Sequence, residues 1–148
     1  MSFEVNFYQY DEELIKSLAP LLIKILDEKK NAIIFCGDEK KMAAIDASLW
    51  SYGRNKFIPH VLTSDKGFDM TRQPAIITNC EENPNNSQHL ILTDEVSVKY
   101  AKSFARSFFF FDHEVFAMAK KYATNLKENG GKISLYKKSE GKWIKADF

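Results

Sequence analysis

Two cysteines, six glycines and three histidines are all that 148 residues hold of the types that most often build redox, phosphate and metal sites. Cys36 and Cys80 stand in neither a CxxC pair nor a zinc-ligand spacing. Two isolated thiols, with no secretory leader to be read, predict a cytoplasmic protein. His60, His89 and His113 are scattered, and no local spacing joins them to a carboxylate or thiol as a metal site would require. The turn after the first strand pattern, Tyr8-Gln9-Tyr10-Asp11, contains no glycine, although a backbone that approaches a pyrophosphate closely needs one there. The second such turn, Cys36-Gly37-Asp38-Glu39, has one glycine and then two carboxylates that repel phosphate. No GxxxxGK[ST] loop and no GxSxG elbow occurs. The sequence therefore predicts no cofactor. Long apolar runs are missing too: Leu18 to Ile25 is interrupted by Pro20 and Lys24, far short of the roughly 20 residues of a membrane span. A net charge of +1 speaks against a dedicated nucleic-acid binder, which would be clearly basic.

What is present is an ordinary apolar fraction, 45%, and an aromatic content of 14% dominated by twelve phenylalanines. The length predicts a single domain spanning residues 1–148, large enough to bury a core without disulfides. Phe3 to Tyr8 alternates as a strand. Asp11 is placed to cap a helix whose apolar face is Leu14, Ile15, Leu18, Leu22, Ile25 and Leu26, with Pro20 expected to kink it or open a second helix. Asn31 to Cys36 reads as a strand buried on both faces. Asp38 then caps a helix with Met42, Ile45, Leu49 and Trp50 toward one side. After a loose 51–55, Phe57 to Leu62, Ala75 to Thr78 and His89 to Leu92 read as strands, with polar loops at 63–74 and 81–88. Thr93 or Asp94 is expected to cap a helix carrying Val96, Tyr100 and Phe104. Ser107 to Phe111 is a strand with four consecutive phenylalanines. The last long helix, capped by Asp112 or His113, stops at Asn129-Gly130-Gly131. A hairpin turning at Ser139-Glu140-Gly141 closes the chain. Strands alternating with helices predict an α/β fold: a Rossmann-like three-layer sandwich with a mostly parallel sheet, helices on both faces and a C-terminal hairpin.

Charge is unevenly spread. From His113 onward there are eight lysines (120, 121, 127, 132, 137, 138, 142, 145) against four acids (114, 128, 140, 147), about +4, while the first thirty residues lean acidic. Such asymmetry marks a possible surface for a negatively charged partner. Taken alone, Trp50 and Phe57 read as core residues, and the lysines of the last helix as a solvated face.

Taken together and in order, these segments resemble a family. Phe7-Tyr8 ends the first strand. The helix beginning at Asp38 ends in Leu49-Trp50, and Phe57-Ile58-Pro59-His60-Val61-Leu62 follows. Then come Pro74-Ala75-Ile76-Ile77-Thr78, the Phe-rich strand, and a basic and aromatic helix leading to Gly130. Nearly the whole chain is similar to the chi subunit of bacterial DNA polymerase III, with Leu-Trp and Phe-Ile-Pro-His the most specific elements. The resemblance implies a Rossmann-like domain that binds no dinucleotide and is not an enzyme as an isolated chain. It implies a clamp-loader accessory subunit of the replication machinery. Its partners would be the psi subunit and the acidic C-terminal tail of single-stranded DNA-binding protein (SSB), without direct nucleic-acid or membrane contact. Trp50 and Phe57 match the family's aromatic contacts to psi, and a helicase competing for that surface is a further implied partner. The SSB-tail site is implied on the last helix, at Lys120, Lys121 and Tyr122, with apolar neighbours from Val115 to Met118. Here Lys120-Lys121-Tyr122-Ala123 departs from the family's arginine and aromatic three positions apart, and lysine offers no bidentate fork to a carboxylate. The alternative from the residues alone is a Rossmann-type nucleotide-binding protein or small enzyme.

Overall fold

The computed structural model describes residues 3–53 and 57–148. Among them eight strands form one sheet: β1 (Phe3–Gln9), β2 (Ala32–Phe35), β3 (Val61–Leu62), β4 (Ala75–Thr78), β5 (His89–Leu92), β6 (Arg106–Phe111), β7 (Gly131–Ser139) and β8 (Lys142–Ala146). The helices are α1 (Leu14–Asp27), α2 (Glu39–Ser51), α3 (Val98–Lys102) and α4 (Phe116–Glu128). The order across the sheet is β3-β4-β2-β5-β6-β1-β7-β8, every neighbouring pair being parallel except the β7–β8 hairpin. This is the α/β sandwich predicted from the alternation of strands and helices.

Two apolar clusters, one on each face, explain the layering. Val5, Phe7, Ile33, Leu90, Phe109 and Phe111 point to one face, where α3 and α4 supply Tyr100, Ala119, Tyr122 and Leu126. Ala32, Ile34, Ile91, Phe108 and Phe110 point to the other, under Leu18, Leu22 and Ile25 of α1 and Met42, Ile45 and Leu49 of α2. The run Phe108 to Phe111 therefore serves both faces, because successive side chains of a central strand alternate. All four rings are buried, each contributing on the order of 1.5–3 kcal/mol. The hairpin turn has φ of +50° at Glu140 and +78° at Gly141. Positive φ at both central positions gives the primed twist that matches flanking strands. Gly130, with φ +94°, turns the chain out of α4.

Several boundaries differ from expectation, each for a local reason. Asp11 caps nothing: the Tyr10 N–H still bonds to the Phe111 carbonyl at 3.0 Å, so sheet pairing runs past β1 and α1 begins only at Leu14. Pro20 neither ends α1 nor opens a second helix. It lies on the exposed side, where water can satisfy the Lys16 carbonyl that its missing N–H leaves free. The strand expected over Phe57 to Leu62 shrinks to Val61–Leu62, since Pro59 lacks a ladder donor and the His60 ring turns back onto the Ile58 carbonyl. The expected loop at 51–55 has residues 54 and 55 outside the described residues. α3 is capped by Ser97, not by Thr93 or Asp94. Asp112 caps a 3-10 turn at His113–Val115 that leads into α4.

Candidate functional site

Trp50 sits in the last turn of α2, one position beyond the buried Leu49. A single helical step rotates the side chain by about 100°, and that carries it off the core stripe. It shares a face with Asp46, four residues earlier. Across from it, Ile58 is buried and fixes the approach to β3, which leaves its neighbour Phe57 outside. Trp50 is 58% and Phe57 70% exposed, with ring centroids 5.7 Å apart. The core reading of these two residues is thus overturned: together they form an open apolar pair on the surface. His60 lies beneath, its centroid 4.9 Å from the Trp50 ring and its side chain fully buried. Its Nδ1 is 2.7 Å from the Ile58 carbonyl and its Nε2 2.9 Å from Asp46 Oδ1. The histidine therefore ties α2 to the segment that carries Phe57. The sequence did hold the signal for Trp50's exposure in its i, i+4 relation to a charged Asp46.

The last helix divides its expected residues. Lys120 and Lys121 are exposed. Tyr122 is buried, packed edge-on against Phe7 and tilted against Phe109, with ring centroids at 6.2 and 5.5 Å. Its hydroxyl donates to the Val96 carbonyl at 2.8 Å and accepts from the Val96 N–H at 3.2 Å. Burial pushes the phenol up to about 12. Tyr122 thus holds the loop before α3 and does not share the lysines' exposure. Two grooves flank α4. One is lined by Glu95, Met118, Lys120, Lys121, Asn125 and Glu128, and mixes charges. The other runs between α4 and β7, with Lys120, Lys127, Leu135, Lys145, Asp147 and Phe148 on its walls. An anionic segment fits the second better, because three cations there meet a single acid. Lys127, Lys145 and Phe148 were not singled out from the sequence, since the hairpin brings them beside α4 only in three dimensions.

At the carboxyl ends of β5, β6 and β1 lies a pocket of about 280 Å³, lined largely by Tyr10, Leu14, Ile45, Phe110 and Met118. In parallel sheets this is where ligands bind, at the point where adjacent strands feed helices on opposite faces. Here a carboxylate of the chain itself is in place. Asp94 accepts from the Gly37 N–H at 2.7 Å and from Lys41 Nζ at 2.8 and 3.0 Å. Asp94 was expected to face the N-terminus of the following helix. It serves instead at the entry to α2, where a phosphate would need the same donors. No group of three metal-ligating side chains occurs among the described residues. No helix among them is long and apolar enough to cross a membrane.

Against this geometry, comparison with known proteins gives a consistent result. The family model described as DNA polymerase III chi subunit, HolC, matches residues 2–134. A curated protein of Rickettsia prowazekii (strain Madrid E), described as a probable DNA polymerase III subunit chi, is 28% identical over 109 residues. The match covers 71% of this chain and 65% of that protein, slightly under two thirds of the relative's length.

Proposed function

The chain belongs to the DNA polymerase III chi subunit family, and on that premise we propose that it is a non-catalytic accessory subunit of the clamp-loader complex in the bacterial cytoplasm. It joins psi on one side to the acidic C-terminal tail of SSB on the other. The observation that carries the reading is the exposed Trp50–Phe57 pair. Large aromatic rings left in water cost free energy, and they recover it when a partner covers them. Such residues dominate binding at the centres of interfaces. Trp50 packs on a buried histidine that also ties α2 to the segment leading into β3, so little ordering of this ring is needed on docking. We assign Trp50 and Phe57 to psi, or to a helicase that competes with it. Lys120, on the wall of the α4–β7 groove, and Lys121, on the other groove flanking α4, are assigned to the SSB tail, with the apolar wall of the α4–β7 groove taking the place in that site first given to the Tyr122 ring.

The test is co-purification with psi. Phe57→Ala is expected to abolish the complex while leaving the thermal midpoint within about 2 °C of the parent, since surface changes away from packed features alter stability little. A complex that survives Phe57→Ala and Trp50→Ala together would show that psi, or whatever takes its place, docks elsewhere.

The reading as a nucleotide-binding protein or small enzyme is disfavoured by Asp94. A nucleotide phosphate at the entry to α2 would have to displace a carboxylate already bonded to Gly37 and Lys41.

A further inference from the structure

After Ala146, which pairs with Leu135, the β7–β8 ladder has no further rung. Asp147 and Phe148 follow outside any regular element. Yet the Phe148 ring is seated in an aromatic slot, 5.3 Å from Phe7, 5.7 Å from Phe116 and 6.3 Å from Phe111. It is only half-buried, whereas Phe7 beneath it is fully buried. Asp147 is exposed, with no ion pair or side-chain hydrogen bond among the described residues. Both residues lie along the α4–β7 groove whose walls carry Lys120, Lys127 and Lys145.

An acidic residue followed by an aromatic one thus already lies in a lysine-lined groove, held by one ring and by little else. We infer that Asp147–Phe148 is a detachable occupant of the α4–β7 groove, competing there with a partner's acidic segment that carries an aromatic side chain. The identity of that competitor rests on the SSB-tail reading above, and the occupant itself rests on geometry alone. Three features support detachment. The segment gives up no strand pairing when it leaves. Its ring shields the core only in part. The groove's cations and aromatic floor remain in place to receive the same chemistry from elsewhere. The segment also falls beyond residues 2–134, so it is a feature of this chain outside the part that matches the family. Self-occupancy lowers apparent affinity by the fraction of molecules in which the groove is open. An occupant in place in about nine molecules of ten weakens a competitor about tenfold.

Fluorescence anisotropy with two labelled peptides tests this on the full chain and on Phe148→Ala. A peptide of residues 143–148, added in trans, is expected to bind Phe148→Ala about three- to tenfold more tightly than the parent. An acidic SSB-tail peptide ending in phenylalanine is expected to bind Phe148→Ala about three- to tenfold more tightly than the parent. Lys127→Ala should weaken both. If the 143–148 peptide binds neither protein, Phe148 is ordinary core and the inference falls. It falls equally if the tail peptide binds both proteins but binds Phe148→Ala no better than the parent. Binding of the 143–148 peptide alone, with no tail binding by either protein, supports the detachable occupant and overturns the SSB assignment. Should Phe148→Ala fold poorly, 4-fluorophenylalanine at position 148 of the otherwise unaltered chain reads displacement directly. A fluorine resonance that moves to its solvent value as the tail peptide binds supports the inference, and one that stays in place at full binding overturns it.

Discussion

Asp94 and Gly37 form a contact that neither residue makes sense of alone. A Cβ built on Gly37 would lie 2.9 Å from the Asp94 carboxylate, closer than real side-chain contacts allow. The glycine is needed for the approach of an internal anion, where a nucleotide-binding protein would need it for phosphate. Gly37→Ala is therefore expected to destabilise by about 1–2 kcal/mol in urea unfolding. In an Asp94→Ala background the same change should cost little, because the clash is gone; simple additivity would refute the contact. Tyr122 presents a different case of a residue read from its neighbours. Its position beside two lysines suggested a shared face, but adjacent helix positions point about 100° apart, and the ring went to the core. Its phenol is raised from 10 to about 12 by burial. The folded state therefore favours the protonated form. That contribution is whole below pH 10 and is lost as pH rises toward 12. Stability measured by urea unfolding should fall across this window, and Tyr122→Phe should flatten the fall while lowering stability at neutral pH by about 1–2 kcal/mol.

Elements were legible where a single rule decides them. The two-faced burial of β2 and β6, the Asp38 cap on α2 and the glycine stop after α4 all follow from local chemistry. They were misread where a distant group intervenes. α3 could not be placed from Thr93 or Asp94, because Asp94 is engaged by Gly37 and the helix starts only at Ser97. Ser97 is itself fixed by its N–H and hydroxyl donating to Glu81 at 2.9 and 2.6 Å. α1 is the informative failure: proline in a helix interior costs about 3 kcal/mol relative to alanine, and the helix runs through it. Leu18, Leu22 and Ile25 bury enough apolar surface on either side of Pro20 to keep both halves in register. Pro20→Ala should accordingly stabilise the protein by about 1–3 kcal/mol, read as a shift in the urea midpoint with an unchanged slope. No gain in stability would mean that the helix is already relaxed around the ring.

At the scale of the molecule, alternation of strands and helices disclosed the sandwich but not the strand order, which depends on which faces find each other. The candidate site shows the same limit. Trp50 and Phe57 were singled out only through the family resemblance, their residue types alone having read as core, while Lys127, Lys145 and Phe148 gather around α4 only because β7 and β8 fold back beside it. The lysine excess after His113 becomes a local field along that groove, and it carries a measurable signature. Affinity for the SSB tail peptide should fall several-fold between 50 and 300 mM salt, since the Debye length shrinks through about 10 Å in that range. A flat salt response would place the tail on an apolar surface instead.

The position of β1 has one more consequence, and it concerns time. The first strand made is flanked by β6 and β7, two of the last three. A chain emerging from the ribosome in order must hold Phe3, Val5 and Phe7 without either neighbour until more than a hundred further residues have appeared. The central strands β2, β4 and β5 can pair during synthesis, but the half of the sheet that carries the α4 groove cannot close until β6 and β7 have both been made. Such late, long-range closure is the slow step of folding. The α4–β7 groove thus exists only after β7 has emerged and paired with β1.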